Sequence, residues 1–238
     1  MELLRTLDIS VVSYVNSFVG QSESFDRSIV VLVRLDTFKG AVITALLWYV
    51  WLIPDRRLSS SCPVFVPSII GTFAAALLAR GLQLLLPLSH RPMHDPALDF
   101  IVPAGMNPTV LAGASSFPSD HAVLYFAVAT AVFLANRQAG IFAYTWAAVL
   151  VCLPRLYVGL HYPSDLLVGA ATGVLIMWAA FKTPWPAFIA NFIRGWEERQ
   201  AASLYVVAFL FSFSVATVFD EPREVIKFAL NRFAGIEL

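Results

Sequence analysis

Charge is scarce in this chain of 238 residues: 16 Lys and Arg against 16 Asp and Glu make up only 13% of it and cancel to a formal net charge of zero. A chain without an overall positive field has no general means of drawing in nucleic acid, so no nucleic-acid partner is expected and the cations must act locally. Cysteine is almost missing, and the two present, Cys62 and Cys152, fall at opposite ends of neighbouring apolar runs, which argues against a disulfide between them. The start, Met1-Glu2-Leu3-Leu4-Arg5-Thr6-Leu7-Asp8, lacks the basic stretch, short apolar run and small-residue site of a cleaved signal peptide, and is expected to stay uncleaved. There is no Gly/Ser-rich linker, low-complexity tract or fixed-period repeat, so one domain over 1–238 is the simplest organisation.

Apolar residues are abundant. They form 58% of the sequence, with a mean hydropathy of +0.73, the composition of a membrane protein. Long apolar runs at 41–53, 63–87, 122–135, 140–154, 166–181 and 201–219, each bounded by charge, Pro or Gly, predict an all-α membrane bundle of about six spans. The first run has 13 residues, short of the roughly 20 of a full crossing, but Lys39 before it and Arg56 and Arg57 after it could snorkel to the two interfaces. Upstream, Leu4, Leu7, Val11, Val15 and Phe18 recur at helical spacing and predict an amphipathic helix on the membrane surface. A partial span through 29–35 is the alternative for the segment that follows.

Against this apolar background, polar groups recur at helix ends. Arg155, His161 and Asp165 stand at offsets 0, 6 and 10, preceded by Pro118-Ser119-Asp120-His121 and by Arg91-Pro92, the latter two inside or bounding a 33-residue connection at 88–120. A connection of that length in a helical bundle is usually a functional loop or a lid. Counting crossings puts Arg91, Ser119, His121, Arg155, His161 and Asp165 on one membrane face, although they span 74 positions. Ionisable groups beside membrane spans are expensive, and arginines, histidines and an acid gathered there suggest phosphate-ester chemistry at a bilayer surface. Loops on the opposite face carry Arg56, Arg57, Arg137, Lys182, Arg194 and Arg199, which places the site on the extracytoplasmic side; the tail with Arg223, Lys227 and Arg232 runs against that rule.

Residue types suggest roles. A neutral imidazole attacks phosphorus when a carboxylate holds its other nitrogen, and His161 with Asp165 fits that pair, Pro163 opening the helix that carries the acid. His121 is the candidate acid for the leaving group, and Ser119 the N-cap that turns backbone N–H groups toward an anion. Arg91 and Arg155 supply forked donors for a phosphoryl group.

With these residues in hand, the chain resembles the type 2 phosphatidic acid phosphatase (PAP2) superfamily of membrane lipid phosphatases. The family pattern Arg-x5-His-x3-Asp is met by Arg155, His161 and Asp165, Pro-Ser-Gly-His by Pro118, Ser119 and His121, and Lys-x6-Arg-Pro only by Arg91-Pro92, over a motif core of 80–165. The resemblance implies a cofactor-free, metal-independent phosphatase in which His161 is transiently phosphorylated, His121 is the general acid, and the arginines and Ser119 hold phosphate. Two departures stand out. Leu84 replaces the family lysine, leaving Arg80 or His90 as substitutes, and Asp120, grouped here with the substrate-binding residues, replaces a glycine and should repel phosphate unless it faces His121 or the helix dipole.

The string from Phe117 to Ala122 looks like the branch acting on polyprenyl pyrophosphates, which makes undecaprenyl pyrophosphate in a bacterial plasma membrane the favoured substrate. Phosphatidate, phosphatidylglycerol phosphate or lipid A, hydrolysed or used for phosphotransfer, are alternatives, and a non-catalytic lipid transporter or scaffold is a reading of another class. Bland counterparts accompany several residues: Arg155 with Asp165 as a structural ion pair, His90 and His94 as ordinary loop histidines, residues 169–173 as close helix packing, and Tyr157, Trp185 and Trp196 as an interfacial aromatic belt. The oligomeric state is not legible in the sequence.

Overall fold

The computed structural model describes residues 2–53 and 57–218; every regular element among them is a helix, and there is no strand. Helices α1 (Glu2–Asn16) and α2 (Glu23–Arg34) precede α3 (Asp36–Leu52), α4 (Cys62–Leu85) and α5 (Asp120–Ala135). Next, α6 (Arg137–Trp146) runs through a widened turn at Ala147–Cys152 into α7 (Leu153–Tyr157), followed by α8 (Pro163–Lys182) and α9 (Ala187–Ala216). The widening directly precedes Pro154, whose nitrogen has no hydrogen to give to the carbonyl one turn earlier.

Among the described residues, four helical stretches are long and apolar enough to cross a membrane: Ser59–Leu85, Arg137–Tyr157, Pro163–Lys182 and Ala187–Ala216. The other two expected spans, α3 with 17 residues and α5 with 16, are shorter than the roughly 20 that a perpendicular crossing takes, although both pack within the same core. The last stretch differs from expectation. It starts 14 residues early and breaks at Gln200, where the backbone leaves helical geometry, so that only its second half coincides with the apolar run beginning at 201. Arg56, Phe219 and the tail carrying Arg223, Lys227 and Arg232 lie outside the described residues.

The centre of the bundle is α5 against α8. Gly169 and Gly173 sit one turn apart on α8, and a Cβ at Gly173 would lie 2.2 Å from the Val123 carbonyl oxygen and 2.9 Å from the Ala127 nitrogen. Only a hydrogen fits there, which is how small residues let membrane helices approach. Both cysteines are free and buried.

The segment before the bundle corrects the amphipathic expectation in one respect. Helix α1 turns Asp8, Asn16 and Val12, not its leucines, toward the protein: Asp8 accepts from the Ser164 N–H at 2.9 Å and hydroxyl at 2.5 Å, and Asn16 exchanges two hydrogen bonds with the Ile101 backbone. Leu3, Leu4, Leu7 and Phe18 face outward, as suits a helix whose surroundings are lipid. Helix α2 is too short to span and is held instead by Asp26, which is buried and accepts from Tyr157 Oη (2.5 Å) and the Gly20 amide (3.0 Å). Tyr157 is therefore an internal anchor and not part of an aromatic belt.

Replacing Gly173 by alanine should cost roughly 1–3 kcal/mol through overpacking at the α5–α8 contact. Gly81→Ala, where an added Cβ meets nothing within 4 Å, should cost nothing. Thermal unfolding of the two variants in detergent checks the difference.

Candidate active site

One end of the bundle collects the amino end of α5, the carboxyl end of α7, the amino end of α8 and the amino end of α3, with the connection 86–119 folded over them. That connection is fastened at several points. Met93 N–H donates to the Gly159 carbonyl, Ser116 N–H to Ser89, and Tyr162 Oη to Asp95 at 2.7 Å. Gly159 is one of the positions that needs glycine: its φ is +74° and a Cβ would run into the Phe100 ring at 2.4 Å.

His161 is 3% exposed. Its Nδ1 lies 2.9 Å from the carbonyl oxygen of Ser116, an atom that only accepts, so Nδ1 carries the hydrogen and Nε2 is left with its lone pair. The expected direct pairing with Asp165 is looser: the nearest carboxylate oxygen is 3.8 Å from Nδ1, beyond hydrogen-bond length. Asp165 works on the surroundings instead. Its Oδ2 accepts from the Ser116 hydroxyl and from the Tyr162 N–H at 2.8 Å, which fixes both the carbonyl that orients His161 and the backbone entering α8. Ser116 had no motif to mark it, because its main contribution is a main-chain oxygen.

Arg91 is buried on the other side of the ring, with Nη1 3.5 Å from His161 Nε2. Two of its nitrogens donate to the Leu160 and Ser115 carbonyls at 2.8 and 3.1 Å, while Nε is buried with no hydrogen-bond partner among the described residues. Burial pulls its guanidinium below the ordinary value, opposed by the Asp120 and Asp165 carboxylates, with Arg155 adding to the lowering. Ser119 caps α5, accepting from the Ala122 N–H at 3.4 Å, and its own N–H donates to the Asp165 carbonyl.

His121 follows in the first turn of α5. Asp120 faces it, accepting from its Nδ1 at 2.9 Å, which is the orientation that keeps this carboxylate from opposing an anion head-on. The Nε2 of His121 is buried without a hydrogen bond; Asp36 Oδ1 stands 3.6 Å away. The same oxygen receives Arg155 Nη2 at 2.8 Å and Lys39 Nζ at 3.0 Å. Arg155 thus pairs with Asp36 and not with Asp165.

Asp36 and Lys39 are the residues that sequence reasoning missed. Lys39 was expected to snorkel outward, yet it is fully buried, its ammonium donating also to the Val33 carbonyl at 2.9 Å. The signal was present: a lysine and an aspartate three apart, at the polar end of a run too short to span. Arg80 does not join this group; it is exposed on α4, with its guanidinium 3.4 Å from Gln83. His94 bonds to the Val110 carbonyl within the loop, and His90 is exposed.

Comparison with known proteins supplies the family. The family profile described as the PAP2 superfamily matches residues 68–189, just over half of the sequence. The chain belongs to the PAP2 superfamily. Among curated proteins, it is 38% identical over 93 residues to the bacitracin transport permease protein BcrC of Bacillus licheniformis, a match covering 38% of this chain and 40% of that protein. It is 26% identical over 184 residues to a protein named "Putative undecaprenyl-diphosphatase YbjG" of Escherichia coli K12, covering 75% of this chain and 86% of that one. The fold is similar, with a TM-score of 0.51 and 16% identity, to a transmembrane PAP2-type phosphatidylglycerolphosphate phosphatase from Bacillus subtilis, over 84% of this chain and 89% of that one. With its apolar helices, this PAP2 member is a membrane protein.

Burial is the largest influence on His161 and holds its imidazole below the ordinary 6.5, against the raising effect of Asp165. The unfolded chain therefore takes up a proton at a pH where the folded one does not, and stability falls as pH drops through 6.5. The melting temperature in detergent should decline between pH 7.5 and 5.5, and His161→Asn should flatten that decline.

Proposed function

We propose that this PAP2 protein is a lipid pyrophosphate phosphatase, favouring undecaprenyl pyrophosphate, that works through a phosphorylated His161 in one membrane-embedded domain. The observation that carries the reading is the tautomer: Nδ1 of His161 donates to Ser116, so the Nε2 lone pair is presented beside Arg91. Buried Arg91 Nε and His121 Nε2, neither with a hydrogen-bond partner among the described residues, supply two more groups for phosphate oxygens or the leaving group.

In this mechanism the His161 Nε2 lone pair attacks phosphorus while the bond from phosphorus to the leaving oxygen breaks. Protonated His121 gives its Nε2 proton to that oxygen. Arg91, Arg155 and the start of α5 behind Ser119 neutralise charge on the phosphoryl oxygens. A water molecule, losing its proton to His121, then displaces the phosphoryl group from His161 as inorganic phosphate. Asp165 and Ser116 position the nucleophile, and Asp120 positions the acid. No step requires a metal or cofactor.

The choice of a polyprenyl pyrophosphate is supported by the sequence around Pro118 and by the printed name of the Escherichia coli relative; the low identity leaves phosphatidylglycerol phosphate, phosphatidate and lipid A as competing headgroups. The name of the Bacillus licheniformis relative favours a second reading, lipid or drug transport without hydrolysis. An extracytoplasmic site in a bacterial plasma membrane is supported by Arg57, Arg137, Lys182, Arg194 and Arg199 at the opposite end.

Purified protein incubated with a panel of these lipids should release phosphate from undecaprenyl pyrophosphate fastest, and equally with EDTA. His161→Ala should lower turnover by more than about 10³-fold, and His121→Ala by about 10²–10⁴-fold. Release from no lipid would favour transport, and loss of activity in EDTA would contradict the metal-free route.

A further inference from the structure

Lys39 and Arg155 come from two different helices and both donate to a single atom, Asp36 Oδ1, at 3.0 and 2.8 Å, and His121 Nε2, from a third helix, stands 3.6 Å from the same oxygen. The grouping is what an oxygen of a phosphate would receive. Charge balance points the same way. Among the fixed charges, the cations Lys39, Arg91 and Arg155 are matched one for one by the carboxylates Asp36, Asp120 and Asp165, which leaves no surplus with which to attract an anion.

One of the three carboxylates must withdraw for a phosphate to be held well. Asp165 is enclosed, with the Ser116 hydroxyl and the Tyr162 amide on it, and Asp120 holds Nδ1 of His121 at 2.9 Å. Asp36 is the first residue of α3, and its side chain is 29% exposed, so rotation about its own bonds takes it out of the cluster. Lys39 would stay in place, because it also donates to the Val33 carbonyl at 2.9 Å.

We propose that Asp36 is a built-in stand-in for substrate phosphate, and that Lys39 is a phosphate-binding residue to which the carboxylate cedes its place. Resting on the phosphatase reading above, this deepens it: each binding event exchanges an internal anion for an external one. The exchange lowers affinity for phosphate product while keeping two cations, Lys39 and Arg155, from lying bare in an apolar surrounding. Arg155 is released to the substrate by the same rotation, which also withdraws the carboxylate oxygen standing 3.6 Å from His121 Nε2.

The test is binding of orthovanadate and inorganic phosphate to the full-length protein in detergent, read as thermal stabilisation and as competitive inhibition of phosphate release. Asp36→Asn keeps the shape and removes the competing charge, and should bind both anions about ten-fold more tightly than the unaltered protein. Asp36→Glu, which retains the charge, should stay closer to the unaltered protein than Asp36→Asn does. Lys39→Met should lose most of the binding, with Lys39→Arg restoring part of it. If Asp36→Asn folds poorly, Asp36→Ser serves the same comparison. Equal or weaker anion binding in the neutral variants, or a fall in kcat with unchanged anion affinity, would overturn the proposal and make Asp36 a permanent orienting group. Turnover by the unaltered protein tests the phosphatase reading separately, since the affinity ratio is measured whether or not a given lipid is hydrolysed.

Discussion

Every ionised group in the apolar part of this protein needs a counter-charge or a hydrogen-bond partner within a few ångströms, because the surrounding medium offers neither. That constraint explains why charges from five separate stretches of chain meet at one end of the bundle. Lys39 is tolerable in the interior because Asp36 and the Val33 carbonyl accept from it; Arg155 because Asp36 lies opposite; Asp165 because Ser116 and Tyr162 donate to it. Removing any one member would strand its neighbours, so the cluster assembles as a unit, and the helices that carry it are drawn to a common end.

The same economy governs the frame around the site. Close approach of α5 and α8, allowed by Gly169 and Gly173, brings Ser119 and Asp165 together so that the amide of one reaches the carbonyl of the other. Helix α1 then ties down the start of α8 through Asp8, while Asn16 and Asp26 hold the long connection and α2. In α1, Asp8 and Asn16 point inward beside Val12, while Leu3, Leu4 and Leu7 face outward. Placement of His161 is thus the product of backbone fixtures on all sides, with Asp165 acting through Ser116.

Much of this was legible in the sequence, and what was not has identifiable causes. Apolar runs marked α4, α5 and α8 because their boundaries carry Pro, Ser and charge, and the spacing of Arg155, His161 and Asp165 marked one helix junction. The stretch before the first run was harder: Lys39 looks like a flanking charge on a short span, and although its own acceptors, Asp36 and Val33, are local, the Arg155 that shares Asp36 with it lies over a hundred positions later. Ser116 was invisible because the atom that matters is a backbone carbonyl, which every residue has. Arg80 suggested itself only through helical spacing, and the side chain faces outward. The break at Gln200 left no Pro or Gly to announce it.

The account stands on His161 as the group that takes the phosphoryl moiety. Rapid quenching of the protein during turnover of undecaprenyl pyrophosphate, followed by peptide mass spectrometry under alkaline conditions that preserve phosphohistidine, tests this most directly. Phosphate on Nε2 of His161, and on no other residue, is the predicted result. Phosphate carried by His121 or another side chain, or turnover with no phosphorylated residue at any quench time, would contradict it.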